Sequence, residues 1–150
     1  MPYIHYGRIG DIWKHLPLCD VISIENPKVY IEANSAYSEY SLSQSDEQKY
    51  GIYTFIDKAV NFSLLKDSKY FKLIYPYVKG NKYLGSPGLA ISLLKNTADK
   101  FLFFDIENEP LVSIQSFARQ NNVGYKISVY NQDSVVELFD LLPDLPHSTL

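Results

Sequence analysis

The chain is poor in the residues that most often announce a site. A single cysteine, Cys19, cannot close an internal disulfide. No apolar run reaches the length of a membrane span, and no charged-then-apolar leader opens the chain. Neither a Walker loop nor a G-x-S-x-G elbow occurs, which removes P-loop and serine-hydrolase chemistry. "GRIGD" at 7–11 follows no strand pattern, so it is a poor dinucleotide fingerprint. The three histidines, His5, His15 and His147, are too scattered for a metal motif. Positive charge is also in short supply: 14 basic against 17 acidic residues leave a net charge of -3. That removes a global electrostatic case for nucleic acid and leaves only a local basic patch. The expectation is a cytoplasmic protein with a buried thiol, no metal and no membrane contact.

Apolar and aromatic residues are plentiful, at 46% and 15% of 150 residues, enough for one domain with a real core. "GDIWKHLPLCDVI", 10–22, places Ile12, Leu16, Cys19 and Val21 or Ile22 near helical spacing behind Gly10 and Asp11, and Pro17 should end or kink that helix near His15. "KVYIE", 28–32, is a buried strand between Asn26-Pro27 and a turn-like cluster. A helix starting at Ser45 or Asp46 turns Ile52, Phe55, Ile56, Ala59 and Val60 to one side. "GSPGLAISLLKN", 85–96, is a helix entry with Ser86 at the N-cap and Pro87 at the first helical position, Leu89, Leu93 and Leu94 facing inward. "KFLFFDIE", 100–107, is a second strand. A helix follows with Leu111, Ile114, Phe117 and Ala118 on one face, then a third strand, "YKISVYNQD", 125–133, and a helix with Ser134 and Glu137 as a capping box. The closing "PHSTL" falls where a fourth strand would start.

This alternation predicts an α/β protein of the doubly wound, Rossmann-like class, a parallel sheet with helices on both faces, undivided over residues 1–150, and a small helical insertion over 43–83. Ligands of such sheets bind at the carboxyl ends of the strands. Three acids sit there: Glu32, Asp105 and Asp133. A carboxylate after the second strand can accept both ribose hydroxyl protons, and a side chain after the third can accept from an exocyclic adenine amine, so the implied ligand is an adenosine. Each acid also has a plain explanation. Asp133 could cap the following helix, Asp105 could be an exposed strand-end charge, and Glu32 could pair with a lysine.

Taken in order, "GDIWKH", "YIEANSAYSEY", "YLGSPGLAISLL", "FFDIENEP" and "NQDSVVELF" resemble the bacterial 23S ribosomal RNA adenine-N6 methyltransferases that use S-adenosylmethionine, from about Gly10 to Pro143. The resemblance implies a class I methyltransferase fold, of which this chain holds the first three core strands. It places Lys14 and His15 at the cofactor, the methionine end in the loop from Asn34 through Ser38, a serine contact at Ser86, and the adenosine on Asp105 and Asp133. Glu32, as a strand-end acid, completes the expected cofactor set. The basic, tyrosine-rich stretch 66–83 would then contact nucleic acid, RNA or DNA, through Lys69, Lys72, Tyr77 and Lys82. Its plain alternative is a solvated face over an aromatic core.

Two departures stand out. The family loop reads approximately T-H-A-G-A-G-R-Y, whereas this chain has Ala33-Asn34-Ser35-Ala36-Tyr37-Ser38-Glu39-Tyr40. Ala36 and Ser38 make positive φ and close backbone approach costlier than glycine would, and Tyr37 and Glu39 add bulk and negative charge. The family's Asp-Pro-Pro-Tyr, which holds the target amine, does not occur, so catalytic residues would lie beyond Leu150. The alternative to an enzyme is an inactive methyltransferase-like module that binds an adenosine ligand or another protein.

Overall fold

The computed structural model describes residues 5–145 and 149. In chain order the strands are β1 (Val29–Glu32), β2 (Glu39–Ser41), β3 (Lys82–Leu84), β4 (Lys100–Phe104) and β5 (Ile127–Tyr130). The helices are α1 (Ile9–Glu25), α2 (Asp46–Gln48), α3 (Thr54–Ala59), α4 (Ser63–Lys66), α5 (Lys69–Lys79), α6 (Ser86–Leu94), α7 (Asn108–Gln120) and α8 (Ser134–Leu141). Three strands form a parallel sheet in the order β1-β4-β5, with Val29 opposite Lys100 and Phe104 opposite Tyr130. The fold is α/β, as the alternation of elements requires.

Side chains of a strand point alternately to opposite faces. Tyr30, Phe101 and Phe103 therefore enter the main core with α1, α5, α6 and α7, whereas Val29, Leu102 and Phe104 form a second, smaller cluster with Leu138 and Leu141 of α8. Both faces of the sheet are thus covered by helices. At the outer edge of β1, Thr149 makes a single parallel bridge to Val29, where the sequence places the beginning of a further strand. His147 lies outside the described residues.

Several expectations are corrected. α1 runs through Pro17 to Glu25 instead of ending near His15. Pro17 is exposed, so its missing N–H leaves the Trp13 carbonyl facing water, while Ile12, His15, Cys19 and Ile22 on the opposite side are buried and hold both halves to the core. The N-cap is Arg8, and Asp11, three residues on, accepts from the Arg8 amide at 3.3 Å. The helix expected from Ser45 onward starts there, with Ser45 accepting from Gln48, but breaks into a π-helical turn, Lys49–Tyr53. Its cause is Gly51 (φ -92, ψ -107): the next amide, Ile52, leaves the helical ladder and donates to Gly7 at 2.9 Å. Gly85, not Ser86, is the N-cap of α6, and Asp133, not Ser134, caps α8 by accepting from Val135 at 2.9 Å. The pairing of β2 with β3 across the helical insertion, Tyr40 opposite Tyr83, was not anticipated, because runs of three residues carry too little alternation to register.

Candidate functional site

The carboxyl ends of β1, β4 and β5 open onto two adjoining clefts that share Asn34. One, of about 210 Å³, lies between the start of α1, the loop after β1 and the start of α6. Lys14, His15, Asn34 and Ser86, four of the residues expected at the cofactor, all line it, with Asp11, Tyr40 and Tyr83. The other, of about 320 Å³, is lined by Ala33, Asn34, Ser35, Asp105, Ile106, Gln132, Asp133 and Ser134. Residues more than a hundred positions apart in the chain therefore meet at one sheet edge.

The loop between them explains how a glycine-poor turn is tolerated. Among the described residues, positive φ occurs at Gly7, Asn26, Gln44, Asn81 and Asn122, none of them in the loop 33–38. No residue there needs glycine's freedom. The close approach is provided from the opposite side: a Cβ on Gly85 would run into the Tyr37 carbonyl, and one on Gly88 into the Ser38 carbonyl. The glycines sit on α6 and its cap, and the Gly85 amide donates to Ser38 at 3.0 Å. The Ser35 amide reaches the Phe104 carbonyl at 2.8 Å, tying the loop to β4. The two intrusive side chains turn elsewhere: Tyr37 donates to Glu109 at 2.8 Å, and Glu39 is neutralised by Lys82 at 2.6 Å.

In the first cleft, Lys14 is exposed and pairs with Asp11 at 3.0 Å. His15 is buried, and its Nδ1 lies 2.9 Å from the Tyr83 hydroxyl. Burial, against which Asp11 acts and with which Lys14 acts, lowers its pKa to about 4, so the ring is neutral near pH 7. Glu32 does not line either cleft. Its carboxylate accepts from Tyr30 at 3.1 Å and from Ser86, and burial, only partly offset by those two hydrogen bonds, raises its pKa to about 7. Glu32 thus fastens the start of α6 to the end of β1, and the Ser86 hydroxyl spends its donor on that carboxylate. In the second cleft Asp105 is buried, and its Oδ1 accepts from the Glu107 amide at 2.8 Å. Asp133 caps α8 and faces the cleft as well, so the capping explanation and the ligand explanation coexist.

No protein-family model and no curated protein matches the chain. A solved structure does: protein LPL1258 from Legionella pneumophila str. Philadelphia 1, of family-model DUF519, shares 25% identity with a TM-score of 0.73. The fold is held in common. The match takes in 93% of this chain and 53% of the Legionella one, so this chain spans about half the length of the protein it resembles.

Sequence reasoning missed Ile106 and Gln132. Ile106 is 75% exposed on the wall of the second cleft directly after Asp105; the signal was a branched apolar residue outside the strand's alternation. The expected nucleic-acid contacts lie elsewhere. Lys69 and Lys72 are exposed on α5, Lys72 pairs with Asp67 at 3.3 Å, Lys82 pairs with Glu39, and Tyr77 is half-buried against the core; none of the four lines either of these two clefts. The inward face of α5, Tyr70, Phe71, Ile74 and Val78, is core. Among the described residues there is no cluster of His, Cys, Asp and Glu that could hold a metal, and no helix is long and apolar enough to cross a membrane.

Proposed function

We propose that the chain is the cofactor-binding part of an S-adenosylmethionine-dependent methyltransferase of the class I fold, with a base amine of nucleic acid, adenine N6 by resemblance, as acceptor. One observation carries the reading: the two clefts meet at Asn34 and divide the ligand's chemistry between them. The first brings an ammonium (Lys14), a neutral imidazole (His15), a carboxylate (Asp11) and an amide (Asn34) together, the donors and acceptors that a zwitterionic amino-acid end requires. The second offers Asp105 and Asp133 to hydroxyls and an amine, and Ile106 to a ring. The bound cofactor supplies the methyl group. The chain's part is to hold it so that the sulfonium faces a substrate amine, a contribution of positioning.

Calorimetric titration of S-adenosylmethionine into the protein tests the reading; heat with one-to-one stoichiometry is expected, and methyl-acceptor screening with nucleic acid follows from it. A folded protein that binds neither S-adenosylmethionine nor S-adenosylhomocysteine would end it and move the search to protein partners. Asp105→Asn keeps the oxygen that accepts from Glu107 but removes the charge offered to the ligand. A hydrogen bond to a charged group is worth about 1.5–3 kcal/mol, so affinity should fall about 10- to 100-fold with the melting temperature nearly unchanged.

A further inference from the structure

A chain of three buried polar groups stands behind the first cleft. His15 Nδ1 lies 2.9 Å from Tyr83 Oη, which lies 3.3 Å from Tyr70 Oη. Tyr70 and Tyr83 are 0% and 1% exposed, so water offers their hydroxyls nothing. Two orientations of the chain are conceivable. If His15 donates from Nδ1, Tyr83 must pass its proton to Tyr70, whose own O–H then has no acceptor among the described residues. If Tyr70 donates to Tyr83 and Tyr83 donates to Nδ1, both buried hydroxyl protons have acceptors, and the ring proton sits on Nε2 of a residue that lines the cleft. A buried donor without a partner is costlier than an unused acceptor lone pair, so the second orientation prevails.

We infer that Tyr70 and Tyr83 are positioning residues that fix His15 as the tautomer protonated on Nε2, so that the first cleft presents a neutral N–H donor beside the Lys14 ammonium, a pair suited to a carboxylate. His15 makes no other hydrogen bond among the described residues and lines the cleft, which leaves Nε2 for a ligand. Tyr70 comes from α5 within the helical insertion and Tyr83 from β3 at its end, so the insertion, besides covering the core, orients a group of the cofactor site. Burial keeps the ring uncharged near pH 7, which makes its tautomer the deciding property. The choice of a carboxylate rests on the proposed cofactor; the tautomer does not.

Long-range nitrogen-15 NMR of the ligand-free protein reads the tautomer directly. The expected spectrum shows His15 with a bare Nδ1 and a protonated Nε2 in the wild type and in Tyr70→Phe, where Tyr83 still donates to the ring. In Tyr83→Phe the two tautomers should mix. A wild-type ring protonated on Nδ1 overturns the inference, and that result does not require any variant to fold. The carboxylate is tested by comparing S-adenosylmethionine with its decarboxylated analogue: the wild type should prefer the former at least 10-fold, and Tyr83→Phe should lose most of that preference. Equal binding of the two by the wild type would overturn the carboxylate assignment. A protein that binds neither compound yet shows the Nε2–H ring would end the cofactor reading and leave the tyrosine relay standing.

Discussion

Gly88→Ala will lower the stability of this protein by about 3 kcal/mol, although glycine-to-alanine inside a helix ordinarily raises it by about 1 kcal/mol. Gly88 lies in the first turns of α6 with no positive φ, so its own conformation would accept alanine. The obstacle is across the gap. An added methyl would sit far inside van der Waals contact distance of the Ser38 carbonyl and 3.1 Å from the Leu84 side chain. Ser38 is 0% exposed and cannot withdraw without pulling the loop off the sheet end, where Ser35 bonds to Phe104. With about 2–4 °C lost per kcal/mol in a chain of this size, a melting-temperature drop near 10 °C is expected. Because Asn34 lines both clefts on that same loop, affinity for the proposed cofactor should fall with it, by roughly 100-fold if the loop shifts by about an ångström. An unaltered melting curve for Gly88→Ala would mean that loop and helix do not touch as described.

The same contact shows why the order of elements was legible in the sequence and the loop was not. Strands and helices announce themselves through periodicity, and runs such as "KFLFF" and "PLVSIQSFA" are buried as their spacing requires. The loop's packing depends on Gly85 and Gly88, some fifty residues downstream, and a local motif search looks for glycine within the loop itself. Pro17 misled for a related reason: the local rule counts a missing amide, while the fold weighs it against four buried residues on the other side of α1. The three acids lie at or just after the carboxyl ends of β1, β4 and β5; Asp105 and Asp133 line the second cleft, whereas Glu32 lines neither of the two described. Glu32 is drawn inward by Tyr30, two residues earlier on the same strand and face, and by Ser86, and no sequence pattern reports which way a carboxylate turns.

Glu32 and His15 give the protein two opposing pH dependences, and removing one should expose the other. Glu32 titrates near 7 in the fold against 4.5 for an ordinary glutamate, so between those values the folded state holds a proton that the unfolded chain has released. Its contribution to stability is complete below pH 4.5 and is lost as the pH rises through 7, to the extent of about 3 kcal/mol. His15 titrates near 4 against 6.5, so there the unfolded chain holds the extra proton. Stability from that source is therefore lost in acid and rises between pH 4 and 6.5, by a similar amount. From pH 4.5 to 6.5 the two slopes cancel, and the wild type should be nearly insensitive to pH over that span. Glu32→Gln, which keeps the shape and an acceptor for Ser86 or Tyr30, deletes the falling arm. Urea unfolding should then show the variant growing more stable with pH and overtaking the wild type at pH 8 by about 2–3 kcal/mol relative to their difference at pH 4.5. A wild-type-to-variant difference that stays constant from pH 4.5 to 8 would mean that Glu32 ionises as it does in water, and its bond to Ser86 would then be that of an ordinary carboxylate. The predicted rise requires instead that the link between β1 and α6 be built on a carboxyl group that stays half-protonated at neutral pH.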